Sequence, residues 1–230
     1  ILFWEMSNGT AVLFHLKMTG QLVYISRKNI AVGGHPIQHD IQSLPNKYSH
    51  LIFRLSGGAA LFFNDTRQFG YVRPVTREQL PEVWQQLQLG PEPLAPSYSV
   101  QRFSDDLRRR PQSKIKQLLM DQTFIAGVGN IYATEACWQS GIRPTRRAHT
   151  LTQAEQQRLF SALRSILHQA VKKQGTSSQN YVDAYGQPGE YVPYLKIYGR
   201  KGEPCPRCGT AIKHIALGGR GTTYCPACQR

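Results

Sequence analysis

Four cysteines near the end of the sequence form two short motifs that could bind a metal ion. Cys205 and Cys208 are separated by two residues, Cys225 and Cys228 are spaced in the same way, and sixteen residues lie between the pairs. Four thiolates at this spacing are typical of structural zinc, in which sulfur fills every position of a tetrahedron. Because no secretory signal accompanies them, zinc is favoured over two disulfides. The sequence therefore predicts one structural Zn²⁺.

An arginine flanked by glycines lies between the two cysteine pairs. Residues 218–223 are Gly-Gly-Arg-Gly-Thr-Thr, which places Arg220 at the expected tip of a β-hairpin. Residues 191–230 contain seven Lys and Arg against one Asp or Glu. A hairpin tip can enter a DNA groove, and in this basic surrounding a phosphate contact is favoured over an ordinary turn arginine.

The charge of the whole chain indicates a polyanionic partner. Twenty-eight Lys and Arg against fourteen Asp and Glu give a net charge of +14. The excess is concentrated in residues 191–230 and in residues 98–147, which hold nine Lys and Arg against four Asp and Glu. Such clustering favours a nucleic-acid partner over a merely solvated surface. With no long apolar run and no signal or lipidation motif in the sequence, we expect a cytosolic protein that does not bind membranes.

The basic segment 98–147 contains a glycine turn between two predicted helices. Gly127 and Gly129 precede a helical segment that starts at Asn130. Glycines would let the backbone approach a phosphate, and the free amides of the following helix could bind it. A plain interhelical turn explains these residues equally well when they are considered alone.

The elements that must position these motifs fall into an α+β, multidomain pattern. Short apolar runs at 11–16, 21–25, 50–55 and 59–63 are separated by turn residues and predict antiparallel β-structure, a sandwich or barrel. Helical spacing appears at 78–89, 114–122, 130–140 and 152–173, the last entered through a Thr152–Glu155 capping box, and Cys137 is expected to be a buried core thiol. The predicted domains are residues 1–90, a proline-rich linker at 91–97, a helical domain at 98–190 and a zinc finger at 191–230.

Five motifs in order along the chain resemble the formamidopyrimidine-DNA glycosylases. They occupy residues 15–20, 65–70, 89–94, 121–133 and 198–205. The resemblance implies an N-terminal antiparallel β-sandwich, a helix-two-turn-helix domain and a C-terminal β-hairpin zinc finger. It also implies damaged double-stranded DNA as the partner of a monomer in the bacterial cytosol or nucleoid.

The same resemblance implies roles for individual residues. Three are expected to fill the space that a flipped nucleotide leaves in the duplex: Met18, Arg67 and Phe69. The other predicted DNA contacts are His15, His50, Arg110, Lys116, Asn130, Tyr198 and Arg220. Arg220 is also expected to be catalytic, since it would assist loss of the second phosphate. The loop at residues 175–193 is expected to close over the extruded base.

The activity implied is removal of oxidised purines, such as 8-oxoguanine and formamidopyrimidines, followed by strand cleavage. In the family an amino-terminal proline, followed by glutamate, attacks C1′ and forms a Schiff base, and β,δ-elimination follows. Neither these two residues nor the family's catalytic lysine is in the sequence, which starts at Ile1. We expect the sequence to begin inside a longer protein and the printed chain to bind DNA without cutting it. Alternatives are an endonuclease VIII-like enzyme for oxidised pyrimidines and a non-catalytic zinc DNA-binding module.

Overall fold

A computed structural model describes residues 1–35, 43–177 and 181–230. By their internal contacts the residues divide into one unit of 1–83 with 173–192 and another of 84–172 with 193–230. This grouping differs from the predicted boundaries, since residues 173–192 belong to the first unit and the predicted finger shares a unit with the helices. The predicted boundaries differ because segments that are distant in the sequence pack together in the fold, and the order of the sequence alone does not show these contacts.

Antiparallel strands make up most of the first unit. In the described residues the strands are β1 (Leu2–Glu5), β2 (Thr10–His15), β3 (Gly20–Ile25), β4 (Ile30–Gly34), β5 (Ser49–Arg54), β6 (Ala60–Asp65) and β7 (Tyr71–Thr76). One sheet has the order β1-β2-β7 and the other the order β4-β3-β6-β5. The runs predicted at 11–16, 21–25, 50–55 and 59–63 correspond to β2, β3, β5 and β6.

The two sheets pack face to face as a sandwich. Val12 and Phe14 of β2 form a buried cluster with Phe63 of β6, and Trp4 and Phe53 pack against it. Alternate side chains of a strand point to opposite faces, so each sheet can direct one apolar face inward. The predicted antiparallel β-sandwich is confirmed.

Two connections between the sheets meet at one end of this sandwich. The chain passes from β2 to β3 and from β6 to β7, and both passages lead from one sheet to the other. His15 pairs with Tyr71 at the end of one ladder, while Gly20 pairs with Asp65 at the end of the other. Residues 16–19 and 66–70 are therefore neighbouring turns.

Helices and a hairpin make up the second unit. The helices are α1 (Leu80–Leu87), which spans the division between the units, α2 (Val100–Arg109), α3 (Ile115–Met120), α4 (Asn130–Ser140) and α5 (Gln153–Lys172). The hairpin strands are β8 (Lys213–Leu217) and β9 (Arg220–Tyr224). Short 3-10 turns occur at Ser56–Gly58, Ala148–Thr150 and Val192–Tyr194. The helix predicted at 130–140 is confirmed to the residue.

The core of this unit is rich in aromatic side chains, and the predicted capping box forms at the start of α5. Phe103 of α2 lies 5.4 Å from Phe160 of α5, measured between ring centroids. The Thr152 N–H donates to Glu155 Oε2 at 2.9 Å, and the Glu155 N–H donates to Thr152 Oγ1 at 3.3 Å. Cys137 is fully buried, as predicted, and burial raises the pKa of its thiol to about 12.

Across the described part of the chain, none of the helices is both long enough and apolar enough to span a bilayer.

Candidate nucleic-acid interface and metal centre

The four predicted zinc ligands converge. All four Sγ atoms lie within 4.8 Å of one another. Cys205 and Cys228 are 4.0 Å apart and Cys208 and Cys225 are 3.5 Å apart, measured between Sγ atoms. Zn–S bonds of about 2.3 Å in a tetrahedron require sulfur atoms about 3.8 Å apart. The spacing fits one tetrahedral Zn²⁺ bound by sulfur alone, so its role is structural.

Helix α4 supports this cluster from one side. The indole Nε1–H of Trp138 donates to Cys205 Sγ at 3.4 Å, and the Arg207 guanidinium lies over the Trp138 ring at 4.5 Å. A donor to a ligand sulfur holds the ligand in place and stabilises its thiolate form. The metal centre is thus attached to the helices by specific contacts.

The hairpin tip presents Arg220 to solvent. Gly218 and Gly219 form the two-residue turn with φ values of 59° and 71°, the left-handed conformation that such hairpins require and glycine adopts readily. Arg220 follows as the first residue of β9 and is exposed. The predicted position of this arginine at a hairpin tip is what the structure shows.

Below the tip, a buried lysine joins α3, α4 and β9. Lys116 Nζ donates to Asn130 Oδ1 at 2.5 Å and to Thr222 Oγ1 at 2.7 Å, and Asn130 Nδ2 donates to the Gly221 carbonyl at 3.2 Å. Lys116 is wholly buried, and this burial lowers its pKa to about 8. A direct phosphate contact was expected of this lysine. In the structure its ammonium is covered and bonds to the strand that carries Arg220.

The glycine turn before α4 is held by one side chain. Gln122 accepts from the Gly127 N–H at 2.8 Å and donates to the Val128 carbonyl at 2.9 Å. Gly127 has a φ of 75°. The α4 N-cap, Gly129, provides no side-chain hydrogen bond to the helix amides. The first turn of α4 therefore offers N–H groups and the positive end of its dipole to an anion.

A buried glutamate that the sequence did not single out fixes the segment before the finger. Glu135 of α4 accepts backbone N–H bonds from Lys196 at 3.0 Å, Ile197 at 2.9 Å and Tyr198 at 2.8 Å. These are hydrogen bonds to a carboxylate in the interior, where they are strong. Glu135 thus places Tyr198, a predicted phosphate contact, relative to α4. The sequence did offer one indication of this role, because Glu135 is an acidic residue within the basic segment 98–147.

The three residues predicted to enter the duplex lie together at the end of the sandwich. Met18 is in the turn between β2 and β3, and Arg67 and Phe69 are in the turn between β6 and β7. Met18 and Phe69 are 51% and 61% exposed, and Arg67 Nη1 lies 3.9 Å from Met18 Sδ. Two exposed apolar side chains thus lie on adjacent turns, with the Arg67 cation beside Met18.

The remaining predicted contacts occupy different surroundings. His15 accepts the Lys17 N–H at Nδ1, and burial with the charge of Lys17 lowers its pKa. His50 Nε2 lies 2.7 Å from the Asp65 carbonyl oxygen. Arg110 is in the other unit, where it forms an ion pair with Asp121 at 3.1 Å. The two histidines therefore border the Met18 turn and its neighbour, while Arg110 borders the segment between α3 and α4.

The predicted loop at 175–193 is described only in part, since residues 178–180 lie outside the described residues. In the described part Thr176 bridges to Glu190, and Val182 bridges to Gly34 of β4 and to Pro188. Closure over an extruded base remains a prediction.

Three family models match the chain. Residues 1–72 match the formamidopyrimidine-DNA glycosylase N-terminal domain, residues 89–182 match the H2TH domain of the same enzymes, and residues 202–230 match a zinc finger found in FPG and IleRS. The three matches follow the sandwich, the helices with their glycine turn, and the four-cysteine hairpin described above.

Whole-chain relatives and solved structures agree with these models. The formamidopyrimidine-DNA glycosylase of Pelotomaculum thermopropionicum is 41% identical over 98% of this chain and 76% of its own. That of Desulforamulus reducens is 39% identical over 100% of this chain and 77% of its own.

Two complexes with damaged DNA show a similar structure. The Lactococcus lactis Fpg bound to DNA with an abasic site matches with a TM-score of 0.80 and 31% identity, over 96% of this chain and 75% of that one. MutM in complex with DNA containing carbocyclic 8-oxo-G matches with a TM-score of 0.81 and 30% identity, over 99% and 77%. The chain belongs to the formamidopyrimidine-DNA glycosylase family.

Proposed function

We propose that the protein is a DNA glycosylase that removes oxidised purines, such as 8-oxoguanine and formamidopyrimidines, from duplex DNA. The observation that supports this most is the grouping of Met18, Arg67 and Phe69 on two adjacent turns of the sandwich. An apolar thioether and a ring can occupy a gap in a base stack, and a guanidinium can face the unpaired base. A flipped nucleotide leaves a gap of this kind.

The second unit supplies the phosphate contacts in this proposal. Arg220 can bind a phosphate with two parallel N–H bonds, and the amides at the start of α4 can bind another. Asn130 begins α4 and donates to the Gly221 carbonyl of the hairpin, and the Tyr198 N–H donates to Glu135 of the same helix. Lys116 contributes through its bonds to Asn130 and β9. Arg110, His15 and His50 complete the proposed contact set.

The strand-cleaving step is a finer part of the proposal. In the family an amino-terminal proline forms the Schiff base at C1′. We propose AP lyase activity for the protein, with Arg220 assisting loss of the second phosphate. We also propose a monomer that acts in the bacterial cytosol or nucleoid.

Fluorescence anisotropy with the 230-residue chain tests the proposal. A duplex with a stable abasic analogue should bind at least about tenfold more tightly than the undamaged duplex, a difference of about 1.4 kcal/mol. Equal affinity for the two duplexes would refute lesion recognition. Preference for an oxidised pyrimidine over 8-oxoguanine would favour the endonuclease VIII-like alternative.

A further inference from the structure

Asp65 is a buried carboxylate at the end of β6, between the two turns that carry Met18, Arg67 and Phe69. It is 1% exposed. Its Oδ1 accepts the Thr19 hydroxyl and the Arg67 N–H, the latter at 3.2 Å, and its Oδ2 accepts the Gly70 N–H at 2.7 Å. One side chain therefore binds both turns.

Each donor to Asp65 belongs to, or directly follows, one of the three exposed residues Met18, Arg67 and Phe69. Thr19 follows Met18, Gly70 follows Phe69, and the third donor is the Arg67 backbone itself. Thr19 Oγ1 also lies 3.3 Å from the Arg67 nitrogen, which donates to it. A Cβ at Gly70 would be only 2.9 Å from Asp65 Oδ2, so the close approach of this backbone to the carboxylate requires glycine.

The turns need such an anchor because their backbones are not in the most favourable conformations. Lys17 and Gln68 have φ values of 50° and 57°, and non-glycine residues with positive φ are uncommon and carry a conformational cost. Burial would raise the pKa of Asp65, but hydrogen bonds from Thr19, Gly70 and Arg67 outweigh it and keep the pKa below the usual value. The carboxylate is thus ionised at neutral pH, and hydrogen bonds to an ionised acceptor are stronger than neutral ones.

We propose that Asp65 is a positioning residue for lesion recognition, which holds Met18, Arg67 and Phe69 in their grouped arrangement before DNA binds. The inference rests on the proposed function of those three residues. Ordering side chains and loops on binding lowers affinity, so an anchor that orders them beforehand strengthens binding to a duplex with a gap. It has little effect on an intact duplex, in which the three side chains have no space to enter.

Two substitutions test the anchor. Asp65→Asn keeps the size of the side chain but replaces one acceptor oxygen with an NH₂ group, and Thr19→Val replaces the hydroxyl with a methyl group of similar size. The probe is a duplex with an abasic analogue next to 2-aminopurine, whose fluorescence rises when the neighbouring stack is disturbed. With Asp65→Asn we expect affinity for this duplex to fall about tenfold and the fluorescence rise to shrink, with affinity for undamaged DNA unchanged. Thr19→Val should show the same pattern more weakly.

Val23→Ala is the matched control, because it opens a cavity at a fully buried position of β3 in the same sandwich. It should lower thermal stability while the fluorescence rise and the lesion preference persist. The inference is overturned if folded Asp65→Asn keeps the original rise and preference, or loses affinity for both duplexes equally. If Asp65→Asn does not fold, Thr19→Val decides by the same criteria. An unsubstituted chain without lesion preference or fluorescence rise would instead refute the proposed function itself.

Discussion

Arg220 combines exposure with a fixed position. The residues on each side of the tip hold it: Leu217 pairs with Arg220 across the turn, and Gly221 accepts a hydrogen bond from Asn130 on its carbonyl. The backbone is therefore anchored while the guanidinium is free to reach a phosphate.

Arg220→Ala should weaken binding to a lesion duplex by about tenfold to a hundredfold, since a charged hydrogen-bonded contact contributes about 1.5–3 kcal/mol. Arg220→Lys should recover part of this, because it restores the charge but not the two parallel bonds. Anisotropy titrations measure both effects, and zinc content should be unchanged.

Lys213→Ala, at the far end of the same hairpin, is the control and should bind nearly as the unsubstituted chain does. In a version carrying an amino-terminal Pro-Glu segment, Arg220→Ala should also slow the second elimination, seen as accumulation of the β-elimination product on a denaturing gel. If Arg220→Ala bound and processed DNA at the original level, the arginine would be only a turn residue.

At this scale the sequence predicted the cysteine ligands and the hairpin arginine, because their spacing alone carries the information. It could not predict that Lys116 is buried, since a lysine in a basic block is usually solvated. It also missed the anchoring roles of Asp65 and Glu135. Their partners are backbone amides of other segments, and such contacts exist only after folding.

Helix α5 starts at an ion pair as well as at a capping box. Arg146 and Glu155 form two contacts, at 2.5 Å and 3.0 Å, and their side chains are 22% and 18% exposed. The hydrogen bond from Arg146 is the largest of the effects that lower the pKa of Glu155 to about 2. A depressed carboxyl pKa stabilises the folded state above the unfolded-state value, and this contribution is lost as pH falls toward the folded-state value.

Glu155→Gln should therefore destabilise the protein at pH 7 by on the order of 2 kcal/mol, and the difference should shrink as pH falls from about 5 to about 3. Thermal melts of both proteins across this range measure it. Glutamine can still complete a capping box, so the loss isolates the charge.

Glu190→Gln provides the comparison at an exposed ion pair. Glu190 lies 3.8 Å from Lys173 and its side chain is 70% exposed, so its substitution should change the melting temperature little. A pH-independent Glu155→Gln effect would show that packing, not the carboxylate, stabilises the start of α5.

Among the elements, the longest helix and the strands with unbroken apolar runs were predicted, while β4, β7 and α2 were not. β4 contains two glycines, and β7 contains Pro74, which is tolerated because β7 is an edge strand of its sheet. In α2 the apolar residues are few among charged ones, and only burial of Phe103 and Leu107 against the aromatic core reveals its inward face. These three elements form because of their tertiary packing, which the local sequence pattern does not show.

For the whole molecule, the net charge of +14 predicts that the affinity for DNA falls as the salt concentration rises. Lys116 is buried, so not every cation is available to a phosphate. With about four or five phosphates neutralised, the slope of log affinity against log salt should be about −4. Titrations between low and moderate salt measure it, and a slope near zero would exclude a phosphate-based footprint.

The zinc finger is attached to the end of α4 by hydrogen bonds, and these bonds bear on whether it could fold outside this protein. The buried Gln229 side chain accepts the Cys225 N–H at 2.7 Å and donates to the Ile142 carbonyl at 2.9 Å. The Arg230 N–H donates to the Gly141 carbonyl, and its own carbonyl accepts the Arg143 N–H, both at 3.0 Å. Residues 202–230 moved to another scaffold would lose these partners, and a finger grafted from a relative would need a matching turn after α4. The fold of the finger therefore depends on the backbone of that turn as well as on the metal.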